Sequence, residues 1–222
     1  MLLYEKQRIE IQQAAIQMLE KNLIINSSGN ASIKVSDHIL ITPSSLSYKK
    51  LKPKDIMVLD IQGKIIDGDL LPSSETALHL SIYKNIPSVK AIVHTHSMNA
   101  TAISTILKEL PAIHYQIADL GGPVLVAPYR TFGSQELAEV VTKALEGRFA
   151  ALMQNHGGIT IGQNIDQALS RSITLEWLSG LYLKAIQNGN PSFINDQELK
   201  KVSINLENLF QNQNKNLLKR KK

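Results

Sequence analysis

Between residues 31 and 66 the chain breaks into short apolar runs closed by tight turns. Alternation in Ala31-Ser32-Ile33-Lys34-Val35 predicts a half-buried strand, and Ile39 to Ile41, Met57 to Ile61 and Lys64 to Ile66 predict three more. Gln62-Gly63 and Asp67-Gly68-Asp69 punctuate them as turns. Strands joined this closely pair antiparallel, because parallel neighbours need a long crossover between them. The pattern therefore argues against a doubly wound parallel sheet and for a mixed α/β fold rich in antiparallel pairing.

The remaining elements fit that frame. Ile11, Ala15, Ile16, Met18 and Leu19 suit an amphipathic helix from about residue 5 to 24, followed by the turn-rich Asn26-Ser27-Ser28-Gly29-Asn30. A helical pattern follows Ser74 as far as about Lys84, Ala91-Ile92-Val93 reads as a buried strand, and a helix then runs to about Lys108. Val124 to Ala127 is a strand, and Ser134 caps a helix to about Leu145. Strands at Ala150 to Met153 and Ile159 to Ile161 precede a helix from about Ile165 to Gln187, which stops at Asn188-Gly189. A last helix is expected from Asp196 to Phe210. The 222 residues suffice for a sizeable core, and no repeat or linker divides them, so one mixed α/β domain is expected.

Composition removes several classes of function. There are no cysteines, which excludes disulfides and thiolate metal sites. No apolar run approaches the roughly 18 residues of a membrane span, and the start of the chain lacks a signal-peptide core, so a cytoplasmic location and no membrane partner are expected. The net charge of +5 is carried by Lys215, Lys219, Arg220, Lys221 and Lys222; without them the 24 basic residues fall to 19, matching the 19 acidic ones. A neutral body with a solvated basic tail gives no nucleic-acid footprint. Residues 1–212 are expected to form the domain and 213–222 a disordered tail. No Walker or Gly-x-Gly-x-x-Gly pattern points to a nucleotide.

The chemistry is concentrated at a few histidines. Of the six, His94 and His96 are separated only by Thr95 at the end of the Ala91–Val93 run. Residues i and i+2 of a strand share a face, so two imidazoles point at one spot, the start of a transition-metal site. His156, in Asn155-His156-Gly157-Gly158, can supply a third imidazole, and Glu75, after Pro72-Ser73-Ser74, a carboxylate that ligates or moves a proton. His38 beside Asp37 reads as a surface residue in a polar turn. His79, four residues after Glu75, is either a second member of a Glu-x-x-x-His metal pair or a helix residue packed under the sheet. Gly29-Asn30, Ser44-Ser45 and Ser73-Ser74 offer the hydroxyls, amide and backbone N–H groups that a phosphate monoester needs.

The ordered motifs Gly29-Asn30-Ala31-Ser32, Ile41-Thr42-Pro43-Ser44, Leu71-Pro72-Ser73-Ser74-Glu75, Val93-His94-Thr95-His96, Pro111-Ala112-Ile113-His114-Tyr115, Ala127 to Gly133 and Gln154-Asn155-His156-Gly157 resemble the class II aldolase/adducin family over roughly residues 8 to 190. The resemblance implies a single three-layer α/β/α domain around a mainly antiparallel sheet. It implies one zinc per subunit on His94, His96 and His156, with cobalt or manganese as substitutes, and Glu75 as resting ligand and catalytic acid/base. Gly29, Asn30, Ser44, Ser45, Ser73 and Ser74 would hold the phosphate of a sugar phosphate. Tyr115 would act in a neighbouring subunit's site within a homotetramer. The implied reaction is reversible retro-aldol cleavage of a ketose 1-phosphate, of the fuculose 1-phosphate type, to dihydroxyacetone phosphate and an aldehyde.

Three positions depart from the family pattern. Ser45 stands where glycine is usual, Asn155 where histidine is common, and the segment after about Pro191 does not match and has no tyrosine. A ribulose-5-phosphate 4-epimerase, using Asp119, or another pentulose-phosphate salvage enzyme is the alternative activity, and a non-enzymatic adducin-like binding module the alternative class.

Overall fold

The computed structural model describes residues 2–206 and 208. The expected basic tail and the end of the last helix at Phe210 lie outside the described residues. Nine strands form one sheet: β1 (Asn30–Val35), β2 (His38–Ile41), β3 (Met57–Asp60), β4 (Ile65–Asp67), β5 (Ala91–Thr95), β6 (Glu109–Leu110), β7 (Val124–Ala127), β8 (Ala150–Met153) and β9 (Gly157–Gly162). Their order is β4-β3-β2-β1-β5-β9-β8-β7-β6, and every neighbouring pair is antiparallel except β7 with β8. The hairpins expected between residues 31 and 66 thus form one half of the sheet.

Alternation along the strands sorts the helices onto two faces. Ala91 and Val93 of β5 pack with Ala31 and Ile33 of β1 against α1 (Glu5–Glu20) and the start of α5 (Ile165–Asn188). On that side, α3 (Met98–Ile106) and the rest of α5 cover Ala150 and Leu152 of β8. Ile92 of β5, with Ala151 and Met153 of β8, faces the opposite way, against α2 (Thr76–Asn85) and α4 (Gln135–Ala144). The result is the three-layer α/β/α arrangement with a mainly antiparallel sheet. Ser134 caps α4 by accepting a hydrogen bond from the Leu137 amide, and Asn164 caps α5 through Gln167.

Several boundaries differ from the sequence reading. α1 ends at Glu20, and the helix after β5 stops at Ile106. β9 begins at Gly157, two residues before its apolar run, because Gly157-Gly158 carries no hydrophobic signal. The two-residue β6 and the short 3-10 helices Pro53–Asp55 and Tyr115–Leu120 are too brief for any periodicity to mark. His38 sits in no turn: it opens β2 opposite Asp60, and its Nδ1 lies 2.7 Å from the Tyr4 hydroxyl. Arg8 is wholly buried inside α1, donating to the carbonyls of Leu3 and Ile56 and paired with Asp67. No described helix is long and apolar enough to cross a membrane.

Candidate metal centre and substrate cleft

The site forms where β5 ends beneath the N-terminus of α2. His94 shares the face of Ile92, the face that α2 covers, and its register partner on β1 is Asn30. His96 follows immediately beyond the strand, its amide bonded to the Leu23 carbonyl, and the two rings lie 4.7 Å apart between centroids. Glu75 occupies the N-cap position of α2. His156 comes from the three-residue loop between β8 and β9, whose ends are the paired Met153 and Gly157. Asn155 takes the left-handed conformation at φ 57°, one that asparagine tolerates better than most residues. Gly157 is required at the next corner: a Cβ there would stand 2.2 Å from the Thr95 carbonyl oxygen and drive the loop away from β5.

Four donors converge here. One ligand atom each from Glu75, His94, His96 and His156 falls within a span of 4.8 Å. His94 Nε2 is 2.8 Å from His96 Nε2 and 2.9 Å from Glu75 Oε2, and His156 Nε2 is 3.4 Å from Glu75 Oε1. The His94 ring uses Nδ1 on the Gly158 carbonyl at 2.9 Å, which commits its Nε2 to the cluster. Burial, reinforced by the neighbouring imidazoles, pushes His96 down to about 3 and His156 down to about 4, so both are neutral and can ligate at pH 7. Burial opposes ionisation of Glu75, yet His94, His156 and an Asn30 amide donor together hold it below the usual carboxylate range.

This donor set fits a divalent transition metal. Glu75 Oε1 is buried without a hydrogen-bond partner among the described residues, and three imidazoles with a carboxylate are a usual set for catalytic zinc. Without metal these groups, with the neighbouring buried His79, carry a stability cost at low pH. His79, His96 and His156 bind protons less readily when folded than the value near 6.5 of a free imidazole, so the unfolded chain takes up more protons as pH falls. His94, raised by Glu75 against the effect of burial, works in the opposite sense, while the lowered Glu75 adds to the loss at the acid end. Thermal melts of chelator-treated protein should therefore show stability present above pH about 6.5 and lost progressively towards pH about 3.

Beside the donors, three polar loops are laced into one wall. The Ser44 amide donates to the Leu71 carbonyl, the Ser73 amide to the Thr42 carbonyl, and the Tyr48 hydroxyl to the Gly29 carbonyl. Gly29 adopts φ 85°, and a Cβ there would meet the His94 carbonyl oxygen at 2.7 Å. The resulting cleft is lined by Gly29, Asn30, Ser44, Ser45, Ser73 and Ser74 together with Glu75, His96 and His156.

The family description "Class II Aldolase and Adducin N-terminal domain" matches residues 9–183 of this chain. The chain belongs to that family. It is 38% identical over 192 residues to the L-fuculose phosphate aldolase of Escherichia coli K12, covering 86% of this chain and 89% of the relative. It is 34% identical over 208 residues to the 5-deoxy-D-ribulose 1-phosphate aldolase of Bacillus thuringiensis, covering 93% and 98%. A solved L-fuculose 1-phosphate aldolase superposes with a TM-score of 0.90 at 33% identity, covering 93% of this chain and 98% of that one.

In this class II aldolase the residues expected from sequence separate into two groups. The metal donors and the six residues of the polar loops come together at one cleft, with His94 wholly buried beneath it. Tyr115 does not line that cleft: it is 49% exposed on the 3-10 helix 115–120, beside His114, whose ring also meets Trp177. Asp119 also lies outside the cleft, 3.6 Å from Arg171 Nε. His79 lies outside the donor cluster: it packs fully buried under the sheet, and its ring reaches the Glu75 carboxylate through Asn30. Ser27, Ser28, Tyr129, Arg130 and Phe132 line the cleft as well. Their signal in the sequence was the turn-rich 26–30 segment and the Tyr129–Gly133 motif, neither of which names a role.

Ser45 carries the cost of its departure from glycine. It adopts φ 59°, a conformation that costs an L-residue roughly 1–2 kcal/mol. Ser45→Gly is expected to raise stability by about 1 kcal/mol, less the entropy that glycine adds to the unfolded chain, read as an increase in Tm.

Proposed function

We propose that this aldolase cleaves a ketose 1-phosphate of the fuculose 1-phosphate type, reversibly, to dihydroxyacetone phosphate and an aldehyde. The observation that carries the reading is the junction of a three-histidine, one-carboxylate cluster with a wall of serine, asparagine and glycine loops in a single cleft. The relatives named for a fuculose phosphate and for 5-deoxyribulose 1-phosphate support a sugar phosphate carried at its terminal carbon.

Zinc held by His94, His96 and His156 would supply Lewis-acid stabilisation for charge developing on the oxygens beside the cleaved bond. The loops at Gly29-Asn30, Ser44-Ser45 and Ser73-Ser74 bind the phosphate, helped by the positive end of the α2 dipole. As the C3–C4 bond breaks, the C4 hydroxyl gives up its proton and becomes the aldehyde; Glu75, ionised at rest, takes up one proton from solvent in its place and delivers it to C3, so none is gained or lost overall. Asn30 Nδ2, 2.9 Å from Glu75 Oε2, holds the carboxylate on that side. The half-exposed Tyr115 suits a role in a neighbouring subunit's cleft, where it exchanges the proton of the aldehyde oxygen in a homotetramer with sites at its interfaces. Asp119 lies on the same 3-10 helix as Tyr115, 3.6 Å from Arg171 Nε, so the aldolase and epimerase readings differ in which of the two serves a neighbouring cleft.

The test is a coupled assay for dihydroxyacetone phosphate release from fuculose 1-phosphate, 5-deoxyribulose 1-phosphate and ribulose 1-phosphate, with epimerisation of ribulose 5-phosphate run beside it. Release from one of the 1-phosphates is expected; epimerisation without release would replace the reading with the epimerase. Tyr115→Phe should lower kcat about 100-fold or more with metal content unchanged. An unchanged rate would remove Tyr115 from proton transfer.

A further inference from the structure

We propose that His79 is a positioning residue: it fixes the Asn30 amide and, through it, the orientation of the Glu75 carboxylate. The proposal rests on the acid/base role given to Glu75 above.

The geometry is a polar zipper between a strand and a helix. Asn30 and Ser32, i and i+2, share one face of β1; Glu75, His79 and Tyr83, at intervals of four, share one face along α2. Two strand residues advance roughly 6.6 Å and four helical residues roughly 6.0 Å, so the two rows keep step. They interleave in the order Glu75, Asn30, His79, Ser32, Tyr83. Glu75 Oε2 meets Asn30 Nδ2 at 2.9 Å, Asn30 Oδ1 meets His79 Nε2 at 2.6 Å, His79 Nδ1 meets Ser32 Oγ at 2.6 Å, and Ser32 Oγ meets the Tyr83 hydroxyl at 2.8 Å. All five residues are buried, and Leu78, Ile82 and Ile92 in the same interface are apolar.

Every donor in the row is determined by its neighbour. The carboxylate accepts only, so the Asn30 amide donates to it and turns its oxygen to His79. His79 Nε2 must then carry the proton. With the ring neutral, the form its complete burial favours, Nδ1 accepts from the Ser32 hydroxyl. Ser32 in turn accepts from Tyr83. A flipped amide would set its oxygen against the carboxylate and its NH2 against an N–H. An amide does not pass protons along, and Tyr83 ends the row inside the protein, so the row orients Glu75 and does not conduct to solvent.

The experiment uses the metal-loaded enzyme. It measures kcat, KM, metal content and the exchange into D2O of the hydrogen on the hydroxymethyl carbon of dihydroxyacetone phosphate, which isolates the Glu75 proton transfer. His79→Leu should lower kcat and the exchange rate together by about 10- to 100-fold, with KM and metal content unchanged. His79→Gln, whose amide N–H can replace that of Nε2, should restore most of both. Normal kcat and exchange in a folded, metal-loaded His79→Leu enzyme would overturn the proposal. If that variant does not fold, Tyr83→Phe decides: a lowered exchange rate at unchanged KM supports the proposal and an unchanged one overturns it. Glu75→Gln run alongside separates the two readings. Full exchange in Glu75→Gln would remove the acid/base role itself, whereas abolished exchange there with a normal His79→Leu enzyme would count against His79 alone.

Discussion

His94→Ala is expected to leave the protein without bound metal and to lower dihydroxyacetone phosphate release by at least about 1,000-fold, the loss of several kcal/mol of charge stabilisation. His94 is the centre of the cluster: its Nε2 lies within 2.9 Å of both His96 Nε2 and Glu75 Oε2. It stands on the strand between β1 and β9 with its ring wholly buried, so alanine also opens a void and leaves the Gly158 carbonyl without its donor. A stability loss of about 2–4 kcal/mol should accompany the chemical loss. Metal analysis and circular dichroism on one preparation separate the two effects. One metal per chain together with full activity in this variant would remove His94 from the site.

Glu75→Gln should behave differently. Three imidazoles remain, so metal is retained, and the glutamine oxygen can still accept from Asn30 Nδ2. What is lost is the group that moves a proton at carbon, and kcat is expected to fall by about 100- to 10,000-fold. If Glu75 served only as an acid at the N-terminus of α2, its replacement would cost at most about 1 kcal/mol of stability and leave kcat intact. If it served only as a resting ligand, metal affinity would fall while the rate at saturating metal stayed normal. The measurement is kcat and metal affinity for the same purified variant.

The legible parts of the site were those set by local spacing. His94 and His96 share a face because strands have a period of two, and the antiparallel half of the sheet follows from turns too short for crossovers. The polar loops and Glu75 stood out as turn chemistry ahead of a helix. The contacts that were hidden depend on how elements cross. Whether His79 was a ligand or a packed helix residue turned on which face of α2 meets β1, and the sequence four residues after Glu75 is compatible with both. The start of β9 was hidden because Gly157-Gly158 is glycine for a spatial reason, the approach of Thr95, and not for a strand propensity. His38 was misplaced because Ser36-Asp37 looks like a polar turn that continues, whereas pairing with Asp60 draws the next residue into β2. Tyr115 lies apart from its own cleft, so its proposed role depends on a second copy of the chain.

The most direct test of the account is a zinc titration of chelator-treated protein while dihydroxyacetone phosphate release from a ketose 1-phosphate is followed. No release is expected at the start, then a linear rise, and saturation at one zinc per chain. Release that persists in chelator, or that ignores added metal, would contradict it.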